Sequence, residues 1–230
     1  MVTQKKEQGN AINYVMAYIV LIVALTVTML LINQQEILLA KQEIENGIQI
    51  CESFVLADTS RALRLDETNR LFDRQQIITA YEYNTENPNL TYEEAQQVSL
   101  LSQKYVAQIR KYFNLDALGY PQNTVLSEIG NSKLLIEDFI IYEAVYDVNK
   151  NIVGFIQYKT AFNGNNDYVS CSAKKYLSTD LHINGVPLYG STIYSALSYE
   201  INVFGKLTKS IKIPVIVDIV PQESYQMRSY

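Results

Sequence analysis

Tyr14–Ile32 reads YVMAYIVLIVALTVTMLLI, nineteen residues without a charge, a Pro or a Gly. At about 1.5 Å of rise per residue, a helix of this length matches the ~30 Å hydrocarbon core of a bilayer. The stretch therefore reads as one membrane-spanning helix. A secretory signal has an apolar run of only ~7–15 residues ending at a small-x-small site. This run is longer and leads into LLINQQE, so an uncleaved anchor is expected.

Before the span, the basic side chains are Lys5 and Lys6. Beyond it, Asn33–Glu36 (NQQE) is without positive charge, and none follows until Lys41. The positive-inside rule then places the N-terminus in the cytoplasm and the large C-terminal part outside the cell membrane. The strong size asymmetry of the two flanks agrees with that orientation.

The helix is expected to continue past Ile32. Asn33–Asp58 holds no Pro and one Gly, Gly47. Ile37, Ile44, Ile48, Cys51 and Val55 recur at spacings of 7, 4, 3 and 4, an amphipathic stripe. Lys41, Gln42, Glu43, Glu45, Asn46, Gln49 and Glu52 fall between them and read as a solvated face. The pattern predicts one helix from about Asn13 to about Asp58, near ~69 Å long. Its first half would sit in lipid and its second would pack on an outer domain. A dimeric coiled coil is the alternative use of the stripe, which covers fewer than three heptads. Gly47 costs ~1 kcal/mol in a helix and marks either a bend or close packing.

The rest of the chain is ordinary globular material: 48% hydrophobic, 19% charged, net charge −5. That excludes a disordered tail and gives no reason to expect a nucleic-acid partner. The 18 Tyr, set against 7 Phe and no Trp, suit half-exposed sheet faces. Ser60–Tyr83 has mixed periodicity and supports no assignment. Asn84–Asn89 (NTENPN) is a loop by composition. Thr91 and Glu94 form a capping box ahead of a helix with Ala95, Val98, Leu101, Tyr105, Ile109 and Tyr112 on one face. Gly119-Tyr120-Pro121 is expected to end the helical part. From Lys133 the chain turns β-branched and aromatic, with strand-like segments near 133–148, 152–162, 167–177, 192–204 and 210–226. They predict an antiparallel, meander-like sheet covered on one face by helices. Pro214 and Pro221 mark the last segment as an edge or bulged strand. The fold class is thus α+β. The divisions are a cytoplasmic leader (1–9), a transmembrane helix (10–32), an amphipathic stalk (33–58) and an extracytoplasmic domain (59–230). Within that domain, 59–120 is read as helical and 133–226 as strand-rich.

Catalytic chemistry is hard to place. His182 stands alone in DLHIN with no nucleophile or carboxylate signature around it. No GxSxG, Walker A, HExxH or GxGxxG occurs. Asn163–Asp167 (NGNND) offers oxygen ligands without calcium-loop spacing. Glu137 and Asp138, adjacent on a strand, should point to opposite faces and make a poor acid–base pair. The Asn89-Leu90-Thr91 sequon matters only in a glycosylating host. No CxxC is present with the single His, so a Cys/His zinc site is excluded. Cys51 and Cys171 could form a disulfide outside the cell or stand as two isolated thiols. No enzyme activity, cofactor or metal is expected.

Lys5-Lys6-Glu7-Gln8-Gly9, followed by Asn10-Ala11-Ile12-Asn13-Tyr14 and then the span, resembles the start of secretion-type pilins. The layout is most similar to the tight-adherence (Tad) pseudopilins of the TadE type, minor components of a type IV-like pilus. The resemblance implies a membrane peptidase cutting between Gly9 and Asn10. It also implies a helix-opening pair at Asn13-Tyr14, with Asn where the family has Glu, and a β-rich outer domain after the stalk. The function it implies is a non-enzymatic, membrane-anchored subunit for assembly of a bacterial surface pilus or secretion apparatus. Its partners would be membrane lipid, other pilin or pseudopilin subunits and a prepilin-type peptidase, and it could end in a surface filament. The alternative is a single-pass anchored ligand-binding or sensor module, with an intact N-terminus and a ligand pocket in the sheet.

Overall fold

The computed structural model describes residues 2–58, 92–146, 151–203 and 207–218. Helix α1 runs unbroken from Val2 to Asp58, 57 residues and about 85 Å. It begins well before the expected start near Asn13. Residues 2–13 contain no Pro, and Lys, Gln and Glu are good helix formers. Gly9 alone opposes them, at a cost of about 1 kcal/mol. The leader and the span are therefore one element.

Helix α2 spans Tyr92–Tyr112, with Arg110 and Lys111 in its last turn, where cations favour the helix dipole. The capping-box Thr91, the sequon, Ser60–Tyr83 and Asn84–Asn89 lie outside the described residues. The helix stops at Tyr112, earlier than the Gly119-Tyr120-Pro121 expected to end the helical part. Asn114 takes a left-handed φ of 48° just beyond it. Gly119, at φ 95°, closes a turn in which Asp116 Oδ1 accepts the N–H groups of Leu118 and Tyr120. A one-turn helix α3, Val125–Ile129, follows.

Strands β1 (Leu135–Tyr146), β2 (Ile152–Phe162), β3 (Tyr168–Tyr176), β6 (Thr192–Val203) and β7 (Leu207–Asp218) form one antiparallel sheet, in the order β3-β2-β1-β6-β7. The five expected strands are present and antiparallel, yet the connection is not a meander. After β3 the chain returns to place β6 beside β1, as in a Greek key. Burial explains the order. Residues 139–145 of β1 are buried on both faces, whereas β3 (YVSCSAKKY) is mostly exposed and suits an edge. Edge strand β7 pairs with β6 alone, with Pro214 in register opposite Ala196. A proline there can turn its nitrogen to the free edge. Pro221 lies outside the described residues.

One face of the sheet carries the main core. Helix α1 packs over β6 and β7, and α2 over β2 and β3. Ala40, Ile44, Ile48, Cys51 and Val55 of α1 are buried against Val98, Tyr105 and Ile109 of α2, against Phe113 just beyond it, and against the odd-numbered residues of β6 and β7. Each such side chain stabilises the fold by about 1.5–3 kcal/mol. Tyr105 stacks on Phe139 at 4.5 Å between ring centroids. The other face is covered at one end by a small ribbon, β4 (His182–Ile183) with β5 (Val186–Pro187). Beneath it a second apolar cluster includes Ile140, Tyr142, Phe155 and Tyr194.

Candidate functional site

The feature that sets this molecule apart is α1, whose two halves have different surroundings. Large apolar side chains from Tyr14 to Ile32 stand exposed, Tyr14 at 75% and Leu25 at 58%. One helix near the N-terminus is long and apolar enough to cross a membrane, and none of its most apolar window is buried in the protein. Thr26 and Thr28 donate their hydroxyls to the carbonyls of Ile22 and Ala24 at 2.8 Å. Such back-bonding satisfies polar groups within an apolar stretch. Gly9, Asn10, Asn13 and Tyr14 all lie within the continuous helix, and the side chains of Asn13 and Tyr14 are exposed.

From Ile37 onward one side of α1 meets the domain. Gly47 sits where α1 crosses the end of α2. A Cβ there would overlap the Phe113 ring and come within 2.7 Å of Tyr112 Cε1. Of the two expectations for this glycine, close packing is the one observed.

Glu52 departs from the solvated face expected of it. It is fully buried, and its Oε1 accepts a hydrogen bond from Ser195 of β6 at 2.6 Å. Tyr105 of α2 donates in turn to Ser195 Oγ at 2.9 Å. This relay ties α1, α2 and β6 together, while Glu52 Oε2 has no hydrogen-bond partner. Burial pushes the Glu52 carboxyl well above its ordinary range, the Ser195 hydrogen bond only partly opposing it. Burial likewise raises the Tyr105 hydroxyl. A second buried link joins Ser102 of α2 to Thr160 of β2 at 2.8 Å. Sequence reasoning missed these groups because their partners are distant along the chain. Glu52 at the edge of an apolar stripe was the available signal.

The two thiols are free. Cys51 is buried at the α1–α2 contact, and burial beside Glu52 pushes it up to about 12. Cys171 lies on edge strand β3, next to Tyr168. The two cysteines lie on different elements and are unpaired in this structure.

The other candidates serve the fold. Asn163 Oδ1 accepts the N–H groups of Asn165 and Asp167, both at 2.9 Å. Arg110 donates to the Asn165 carbonyl at 2.7 Å and to Asp167 Oδ1 at 3.3 Å, and Lys133 to Asn165 Oδ1 at 3.0 Å. Two cations thus occupy the oxygens that a calcium ion would need. Asn166 turns inward, accepting from Ile136 N–H at 2.8 Å and donating to the Leu134 carbonyl at 2.7 Å. His182 is exposed on β4, with Nδ1 3.4 Å from Asp180 Oδ1.

Glu137 and Asp138 do not alternate as expected. A bulge between Ile136 and Asp138 breaks the two-residue repeat. Glu137 accepts from Ser198 at 2.5 Å, and Asp138 pairs with Lys212 at 2.9 Å and Lys159 at 3.1 Å. Ser198 and Lys212 are direct cross-strand partners, so both carboxylates work on the same face. Burial alone would raise the Asp138 carboxyl, but hydrogen bonds from Lys212 and Lys159 outweigh it and hold it below its ordinary value. Among the described residues no group of three or more His, Cys, Asp or Glu could hold a metal ion. Comparison of this chain with family models, curated proteins and solved structures gave no match.

Proposed function

We propose that the chain is a non-enzymatic, membrane-anchored pilin-like subunit, a minor pseudopilin used to assemble a bacterial surface appendage. One observation carries the reading: a single unbroken helix is exposed and apolar over its first half and docked on an α+β domain over its second. Such a helix can leave lipid and pack against like helices, exchanging one apolar surrounding for another. The N-terminus would face the cytoplasm and the domain the outside. A prepilin-type peptidase would cut between Gly9 and Asn10, leaving Asn13-Tyr14 at the head of the mature helix.

The test is the intact mass and N-terminal sequence of the protein extracted from its native membrane. A start at Asn10 is expected. A start at Met1 or Val2 would overturn processing at Gly9 and favour an anchored binding domain. A start beyond Ile32 would make the span a cleaved signal.

A further inference from the structure

Five acidic or basic residues lie between Asn33 and Val55: Glu36, Lys41, Glu43 and Glu45, and Glu52, which is turned into the domain. On a helix of 3.6 residues per turn they fall on two flanks and leave two charge-free tracks on opposite sides. The inner track contains Ala40, Ile44, Ile48, Cys51 and Val55 and is buried against the domain. The outer track is Gln35, Leu39, Gln42, Asn46, Gln49 and Ser53, and every one of these is exposed. Its spacings are 4, 3, 4, 3 and 4, the repeat of a two-helix coil, with polar side chains at five of the six positions where such seams are usually apolar. The same repeat runs back into the span through Ile32, Thr28 and Leu25, and on to Tyr14.

We propose that a second copy of this chain docks along this outer track, parallel and in register, as a symmetric helix pair. The proposal rests on α1 alone and is independent of the pilin reading. Three arguments select a second copy as the occupant. Two copies inserted in the same direction hold their spans at the same depth, so each seam residue meets its own counterpart. A primary amide both donates and accepts, so Gln42 against Gln42 and Asn46 against Asn46 are self-complementary, whereas a charge against itself would repel. An Asn in such a seam also selects register and helix number. Lipid is the poorer occupant, because Gln35 to Ser53 extends about 27 Å beyond the span and carries amides. From Tyr14 to Ser53 the track is ~60 Å long and ~10 Å wide. Two copies would bury roughly 1,200 Å², the lower end of specific interfaces.

Disulfide trapping in native membranes tests this, with the full-length chain carrying Cys171→Ser and copper–phenanthroline in air as oxidant. Asn46→Cys and Gln42→Cys are expected to give a dimer of twice the chain mass. The yield should be at least about fivefold above that of Lys41→Cys and Phe54→Cys, which are exposed on opposite flanks. Adding Asn46→Lys should cut trapping through Gln42→Cys about tenfold, and Asn46→Gln should retain it. Equal yields on seam and flanks, adducts of another protein's mass, or no dimer would each overturn the proposal. None of these outcomes depends on where the N-terminus begins, so failure here and failure of the pilin reading are separable.

Discussion

The two halves of α1 share one backbone and differ in what surrounds them. Between Tyr14 and Ile32 apolar side chains point in every direction and remain exposed. Between Ile37 and Val55 apolar side chains are buried on one side, and charges line the flanks. Helix formation is a local matter and proceeds through both halves. The partner is chosen by the pattern: an all-round apolar helix suits lipid, and a one-sided stripe suits a protein core. The same residue type therefore has a different value in each half.

Identical substitutions break or sharpen that contrast. Ile48 is fully buried and Ile22 is 47% exposed. Ile48→Ala should lower the urea stability of the full chain in detergent by about 2–5 kcal/mol, and Ile22→Ala should leave it nearly unchanged. Equal effects would mean that the stalk half is not docked. Gly47→Ala should be the next most costly, at roughly 1–3 kcal/mol from overpacking against Phe113. A glycine-to-alanine change on an exposed helix face would normally stabilise by ~1 kcal/mol, so the sign alone decides whether the crossing is as close as described.

Glu52 adds a pH dependence that the exposed apolar half lacks. Its folded pKa lies above the unfolded value near 4.5. The stability it contributes is full below that value and is lost as pH rises toward the folded pKa, by at most about 1.4 kcal/mol per pH unit. Unfolding midpoints of the native chain should fall between pH 5 and pH 8. Glu52→Gln, which keeps an acceptor for Ser195, should flatten that slope and be the more stable at pH 8. A parallel slope in both proteins would contradict a raised pKa at the buried Glu52.

The smallest effect is expected on the far face of the sheet. Asp138→Asn should cost about 1 kcal/mol or less, because Lys159 and Lys212 are half exposed. Asp138 has a lowered pKa, so its contribution is present above the unfolded value near 3.8 and fades as pH falls. The difference between native and Asp138→Asn midpoints should shrink as pH falls below 3.8.

Local periodicity made much of this fold legible. The stripe from Ile44 to Val55 and the face from Val98 to Ile109 reappear as buried residues, with Ile37 half-buried beside them. The first four long strands lie close to their expected bounds, and the last begins three residues early at Leu207 and is described only to Asp218. Non-local features were not legible. Nothing in the spacing of β6 says that it returns beside β1, because strand order depends on which strand can be buried on both faces. The bulge at Glu137 reversed a face assignment that a strict two-residue repeat required. Glu52 looked solvated because its partner, Ser195, lies 143 residues away. At the N-terminal site, Gly9 and Asn13 were legible only as a motif. The helix continuing through them follows from the absence of proline, a signal that was present and went unused.

The most direct test of the two-half account is a single-cysteine scan of α1 in intact cells, using a membrane-impermeant maleimide and chains that carry Cys51→Ala and Cys171→Ser. The account predicts no labelling at Leu21→Cys or Leu25→Cys, and ready labelling at Lys41→Cys and Glu45→Cys. It predicts labelling at Ile44→Cys only after urea. Labelling at Leu21→Cys, or protection at Lys41→Cys and Glu45→Cys, would contradict it.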